Sequence, residues 1–284
     1  MSQSIRGLLT EATRSLEAIS DSALLDSEIL LCMTLNADRS YLRTWPDRLV
    51  SAEQKESYLL LLEERRKGTP IAYITGVREF WSREFYVTPD VLIPRPDTEL
   101  LIENCLKLIP VGKSSFKVLD LGTGSGIIAI TLAAERPHAE VWASDNSPSA
   151  LHVAQRNANK HNIHNLRFYL SDWFAEIPPS PFNLIVSNPP YIAPYDAHLK
   201  QGDLRFEPPS ALSANDHGLA AIKSIADKAR LFLEPGGHLL IEHGYNQREA
   251  VRLIFEDFHY QNVLNYTDLS GHPRVTYGQK APSP

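Results

Sequence analysis

Two short segments of this sequence carry residue types that can do chemistry. The first, Asp120-Leu-Gly-Thr-Gly-Ser-Gly126, follows the apolar run FKVLDL and precedes IIAITLAAE, so it ends a strand and opens a helix. Gly122, Gly124 and Gly126 permit a tight turn there and close approach of backbone to a ligand. The helix start, with Thr123 and Ser125 set between the glycines, offers unpaired N–H groups. Asp145 ends the next apolar run, AEVWASD, at about the 20-residue offset where a carboxylate in a nucleotide-binding sheet accepts from ribose hydroxyls. Ser171-Asp172-Trp173 closes a third run, LRFYLSD. Singly, each glycine is a helix-start turn and each aspartate a solvated strand end. Three acids ending successive strands argue for a ligand.

The second segment, Asn188-Pro189-Pro190-Tyr191, follows the run FNLIVS directly. Two prolines cannot continue a sheet ladder, so the strand stops there, at the end where open α/β sheets bind ligands. A planar NH₂ group is a poor nucleophile because its lone pair is delocalised. The Asn188 side-chain oxygen and the Pro189 carbonyl can accept from both of its N–H groups, make the nitrogen more pyramidal and aim the lone pair at an electrophilic carbon. Tyr191 can lie against the planar group. The proton to be lost becomes acidic only as the new N–C bond forms, so this chemistry requires neither a strong base nor a metal.

An acid followed by glycines at every second position departs from the dinucleotide pattern G-x-G-x-x-G, because Ile127 stands where its third glycine would fall. The order resembles the S-adenosylmethionine (SAM) motif of class I methyltransferases. That resemblance implies that Asp172 takes the adenine amino group and that Trp173 packs on the adenine. A wider set of residues is more specific: Pro70-Ile-Ala-Tyr73 with Gly76, Ile93-Pro-Arg-Pro-Asp-Thr-Glu99, Ser171-Asp-Trp-Phe174, Val186-Ser-Asn-Pro-Pro-Tyr-Ile192, Leu204-Arg-Phe-Glu-Pro208 and Glu242-His-Gly244. Together they resemble the PrmC/HemK family of peptide-chain-release-factor N5-glutamine methyltransferases. The resemblance implies methyl transfer from SAM to the side-chain amide nitrogen of the glutamine in the Gly-Gly-Gln loop of class 1 release factors, in translation termination. It assigns Gly122, Thr123, Gly124, Ser125, Gly126, Asp145, Asp172 and Trp173 to the cofactor, Asn188 to cofactor and substrate, and Asn188 to Tyr191 to the glutamine pocket, with Asn188, Pro189 and Tyr191 acting in catalysis. The residues themselves specify only a planar amide or amino acceptor. A methyltransferase acting on exocyclic amines of nucleic acid, and a SAM-binding adaptor without catalysis, are the alternatives.

These segments need elements to hold them. Residues 1–70 read as a helical bundle, the substrate-recognition domain, with Ser51-Ala-Glu-Gln54 as a capping box. Residues 71–95 read as a β-hairpin linker, with IAYITG and REFYVT as its strands. From 96 to 284, strands alternate with helical runs, which specifies an α/β methyltransferase domain with a Rossmann-like parallel sheet and helices on both faces. Its tail, VLNYTD and RVTYGQ, reads as an antiparallel hairpin. The segment from Ala193 to His217 lacks strong periodicity and is expected to form a lid or collar at the site. Arg95 suits either a cofactor carboxylate or a strand-end acid.

The 284 residues carry 28 Lys+Arg and 34 Asp+Glu, and residues 1–75 share that acidic balance, with nine basic against eleven acidic side chains. Phosphate-backbone binding needs clustered Lys and Arg, so direct nucleic-acid binding is not expected. No run approaches a membrane span or a signal-peptide core, and Cys32 and Cys105 sit in apolar helical patterns as reduced thiols. A cytoplasmic monomer is expected, with no membrane partner. His161 and His164 lack a carboxylate at ligand spacing, so no metal is expected.

Overall fold

The structure is a computed structural model and describes residues 3–112 and 115–282. It divides into two compact units, residues 1–77 with 200–206, and residues 78–199 with 207–284.

In the first unit, α1 (Ile5–Leu16), α2 (Ala23–Leu35), α3 (Arg39–Thr44), α4 (Ala52–Arg66) and α5 (Ile71–Thr75) accompany the two-residue strands β1 (Gln3–Ser4) and β2 (Leu49–Val50). Apolar residues at helical spacing, among them Ile5, Leu8, Ala12 and Leu16 of α1, meet Leu30, Leu31 and Tyr58 in one core. The capping box at Ser51 is present, Ser51 Oγ accepting from Gln54 N at 3.1 Å and Gln54 Oε1 from Ser51 N at 3.2 Å.

The strand expected over IAYITG does not form. Ile71–Thr75 is helical, opened by Pro70 and stopped by Gly76 in the left-handed region (φ 73°), so the first strand of the hairpin begins later. The hairpin is β3 (Val77–Phe80) and β4 (Arg83–Tyr86). Its turn residues Trp81 and Ser82 both have positive φ (53° and 55°), the geometry of a two-residue turn whose twist matches the strands. Glu79 Oε1 accepts from Ser82 N at 2.6 Å and Glu99 Oε1 from Trp81 N at 3.3 Å, which holds that turn without glycine. Phe80 and Phe85 are buried in a core of the second unit.

The second unit continues with α6 (Thr98–Leu108), β5 (Lys117–Leu121), α7 (Ile127–Glu135), β6 (Glu140–Asp145), α8 (Pro148–Lys160), β7 (Leu166–Leu170), β8 (Phe182–Ser187), α9 (Pro209–Leu212), α10 (Ala220–Phe232), β9 (Leu233–Glu242), α11 (Arg248–Asp257), β10 (Gln261–Thr267) and β11 (Pro273–Gln279). The sheet order is β10-β11-β9-β8-β5-β6-β7. The five strands from β9 to β7 are parallel, and β11 and β10 add an antiparallel edge. Alternate residues face opposite sides: Val118, Val141 and Val186 pack under α6 and α7, while Leu119, Ile185 and Leu239 pack under α10 and α11. The chain runs outward from β5 through β6 and β7, then returns to start β8 on the other side of β5. The resulting switch point sets the C-terminal ends of β5 and β8 side by side, where open α/β sheets form their ligand crevice.

Candidate active site

The glycine turn leaves the end of β5. Its three glycines have φ of 71° (Gly122), 55° (Gly124) and 86° (Gly126), a region that penalises any residue with a Cβ. At Gly126 a Cβ would also stand 2.7 Å from Ile130 Cδ1 and 3.1 Å from Ala154 Cβ, so glycine is required where α7 crosses α8. Asp120 braces the turn from below: its Oδ2 accepts from Thr123 Oγ1 at 2.7 Å and from Ala129 N, in the first turn of α7, at 3.2 Å. Burial pushes the Asp120 carboxyl up to about 7, against the pull of those two hydrogen bonds. Thr123 therefore turns its side chain inward and meets the cavity through its backbone.

Asp145 at the end of β6 ties two loops together. Oδ2 accepts from Gly124 N at 2.8 Å and Oδ1 from Ser147 N at 2.9 Å, while Ser147 Oγ caps α8 by accepting from Ala150 N at 3.2 Å. Burial raises the Asp145 carboxyl and these backbone N–H groups oppose the rise. Each carboxylate oxygen keeps a further lone pair. At the end of β7, Trp173 adopts φ 52° and lays its ring 3.5 Å from where a Gly122 Cβ would be.

A cavity of about 260 Å³ joins these groups: Gly122 to Ser125, Asp145, Ser171, Trp173, Thr98, Arg95, Asn188 and Pro190 are among its lining. Of the residues expected at the site, Gly126, Asp172, Pro189 and Tyr191 are absent from the lining. Asp172 is exposed, because Ser171 Oγ accepts from Glu176 N and donates to Trp173 O, a turn that places Trp173 over Gly122. Pro189 is buried. Tyr191 is drawn away from the cavity, its hydroxyl donating to Glu242 Oε1 at 3.4 Å. Burial, followed by the Glu242 charge, raises the Tyr191 phenol well above its ordinary range. Arg95 pairs with Glu207, whose other oxygen accepts from Ile93 N at 3.0 Å, so its acid comes from the loop and not from a strand end.

Several residues here carried no assigned role on sequence grounds. Thr98 Oγ1 accepts from Asn188 Nδ2 at 3.2 Å, which turns Asn188 Oδ1 away from Thr98. Glu242 is fully buried and accepts from the Tyr191 hydroxyl. Gln247 Nε2 donates to Tyr191 O at 2.9 Å and to His217 O at 3.2 Å. Gly218, at φ 86°, presses so close that a Cβ would stand 2.1 Å from Tyr191 O. The one available signal was Glu242 itself, an acid ending an apolar run as Asp120 and Asp145 do.

The backbone approach at Gly218 makes a prediction. Gly218→Ala is expected to lower unfolding free energy by about 2–4 kcal/mol from left-handed strain and overpacking, and turnover by roughly 10-fold or more through displacement of the tetrapeptide. Gly271, at φ 81° with nothing within 4 Å, is the comparator: its alanine variant meets strain alone, about 1 kcal/mol, with turnover intact. Denaturant midpoints and initial rates for both variants check this, and full activity in Gly218→Ala would contradict it.

The Methyltransferase small domain family matches residues 96–203 and the PrmC N-terminal domain family matches residues 7–76. The Release factor glutamine methyltransferase of Vibrio cholerae is 49% identical over 281 residues, covering 98% of this chain and 98% of that protein. This chain belongs to the release factor glutamine methyltransferase family. The Escherichia coli member is 46% identical over 271 residues, 95% of this chain and 97% of its own length. A methyltransferase from Pyrococcus furiosus superposes with a TM-score of 0.54 at 16% identity, over 80% of this chain and 98% of that one, a likeness of fold. The sheet of the second unit is accordingly the Rossmann-like α/β sheet of a methyltransferase, and the family's matches cover both the helical segment and the sheet. No described helix is long and apolar enough to cross a membrane.

Proposed function

We propose that this enzyme transfers a methyl group from SAM to the side-chain amide nitrogen (N5) of the glutamine in the Gly-Gly-Gln loop of a class 1 release factor. The observation that carries the reading is that Asn188 lines the same cavity as the glycine turn, Asp145 and Trp173. The cavity fits a nucleoside cofactor on its own chemistry. Asp145 retains acceptor capacity for two ribose hydroxyls, Trp173 presents an aromatic face for adenine, and Gly122 and Gly124 add no Cβ between backbone and ligand. The exposed Asp172 has no part in this reading. SAM bound there supplies an electrophilic methyl on a sulfonium sulfur.

The rest is done by the chain's own residues. Asn188 Oδ1 has no protein partner among the described residues, and it accepts one amide N–H of the substrate glutamine. The Pro189 carbonyl, which no backbone N–H among the described residues occupies, accepts the other. Holding both N–H groups turns the nitrogen lone pair toward the methyl. Positioning of this kind is worth about 7–11 kcal/mol when the reacting atoms are well aligned. Tyr191 supports the tetrapeptide through Glu242 and through its carbonyl bond from Gln247.

Incubation of the protein with radiolabelled SAM and, in separate reactions, an intact release factor, its Gly-Gly-Gln Gln→Ala variant, tRNA and DNA tests the reading. Label entering the intact release factor alone is the expected result. Label on tRNA or DNA would replace it with exocyclic-amine methylation.

A further inference from the structure

Gln247 joins three segments of the second unit through both polar atoms of its side chain. It stands at the start of α11 and is buried. Its Oε1 accepts from Gly244 N at 2.9 Å, while its Nε2 donates to Tyr191 O at 2.9 Å and to His217 O at 3.2 Å. These partners fix the orientation of the carboxamide. A backbone N–H only donates and a carbonyl only accepts, so turning the group over would set its oxygen against two carbonyls and its NH₂ against a donor. Gly218 closes the same contact from the other side, since a Cβ there would stand 2.1 Å from Tyr191 O and 2.9 Å from Gln247 Nε2.

Gln247 thus holds the last carbonyl of the tetrapeptide. Upstream, Asn188 follows directly on β8, whose final residue, Ser187, is paired with Leu121 and Ile241 and donates its hydroxyl to Leu121 O at 2.7 Å. Downstream, Ile192 N donates to Leu212 O and Ile192 O accepts from Ala214 N, both at 3.0 Å. The chain between these ends has little torsional slack. Each proline ring locks φ near about −65°, and a residue that precedes a proline is confined to extended backbone. Asn188 and Pro189 both precede one. Only ψ of Pro190 and φ of Tyr191 can absorb a movement at Tyr191 O, so most of that movement is passed back to Pro189.

We infer that Gln247 is a positioning residue for the Pro189 carbonyl, setting the direction in which the tetrapeptide offers that acceptor by donating to Tyr191 O. Gln247 is absent from the cavity lining and acts through the backbone alone. The same NH₂ ties His217, at the end of the segment that begins at Ala193, to the tetrapeptide, so loop and acceptor are set together. The effect on rate rests on the function proposed above, in which this carbonyl accepts one amide N–H.

The test compares wild type with Gln247→Glu, which keeps an acceptor for Gly244 N and loses both donors, and with Gln247→Met, which loses all of these bonds without adding charge. Rates are read on the intact release factor and SAM affinity by calorimetry. Both variants are expected to lower kcat and kcat/KM together by roughly 10²-fold, with SAM affinity within about twofold. A second measurement reads the acceptor itself. The carbonyl ¹³C signal of Pro189 in proline-labelled protein, identified by its loss in Pro189→Ala, is expected to move in both variants. Wild-type kcat in Gln247→Glu would mean that only the bond from Gly244 matters, and would overturn the inference. A Pro189 signal that stays in place, or a loss confined to KM, would do the same. If wild type does not methylate the release factor, the proposed function fails, and the Pro189 signal still decides the inference. Should Gln247→Glu not fold, Gln247→Met decides it on the same readouts.

Discussion

Asn188→Ala is expected to lower turnover by roughly two to three orders of magnitude, the range seen when one oriented polar group is removed from a reacting centre. Three losses combine. Oδ1 no longer accepts from the substrate amide, the nitrogen keeps its planar delocalisation, and Thr98 Oγ1 loses the 3.2 Å bond from Nδ2. The fold should survive, because Asn188 is only partly buried and β8 beneath it is held by backbone pairing to β5 and β9. SAM affinity should change little, since Asp145, the glycine turn and Trp173 are untouched. Asn188→Asp is the informative companion. A carboxylate there still accepts, yet it cannot donate to Thr98 as Asn188 does, so it should restore only a small part of the rate. Single-turnover rates with saturating release factor, alongside calorimetric SAM binding, check both. Wild-type turnover in Asn188→Ala would remove this side chain from the mechanism.

Asp145→Ala is expected to act on affinity. Two hydrogen bonds from ribose hydroxyls to a carboxylate contribute about 1.5–3 kcal/mol each, and incomplete alignment leaves a loss of about 3 kcal/mol, or roughly 10²-fold in Kd. A second loss comes from the protein. Asp145 also receives Gly124 N at 2.8 Å and Ser147 N at 2.9 Å, so its removal loosens the glycine turn and the start of α8 together. Asp145→Asn is expected to be nearly as weak, because its NH₂ would face one of those two backbone donors. Calorimetry with SAM gives the result directly. An unchanged Kd in Asp145→Ala would mean that the ribose is held elsewhere.

Much of the cofactor half of the site was readable because its determinants are local. Glycines alternating after an acid require positive φ, a strand end and a helix start within seven residues, and Asp120, Gly122, Gly124, Gly126 and the cap at Ser147 behave as that local chemistry demands. The strands were readable because burial on both faces enforces continuous apolar runs. The hairpin starts at Val77, later than the aromatic and β-branched run from Ile71 suggests. Its turn at Trp81 and Ser82 lacks the glycine or asparagine that announces such turns, and it is held in part by Glu99 from α6. A turn stabilised by a residue 18 positions away leaves no local pattern.

The substrate half divides the same way. Asn188-Pro189-Pro190-Tyr191 announced a strand end and an acceptor for a planar nitrogen, since two prolines and an asparagine dictate this from their own covalent geometry. Which way Asn188 faces is another matter. It depends on Thr98, 90 residues earlier, and the two meet only because the switch point sets β8 between β5 and β9 with α6 laid across. Sequence by itself determined the chemistry available at each strand end, because backbone dihedrals and functional groups are properties of a few adjacent residues. Only the tertiary structure decided which of those groups line the cavity, that Asp172 and Tyr191 are not among its lining, and that Asn188 donates to Thr98, because such contacts are made by partners that the fold alone brings together.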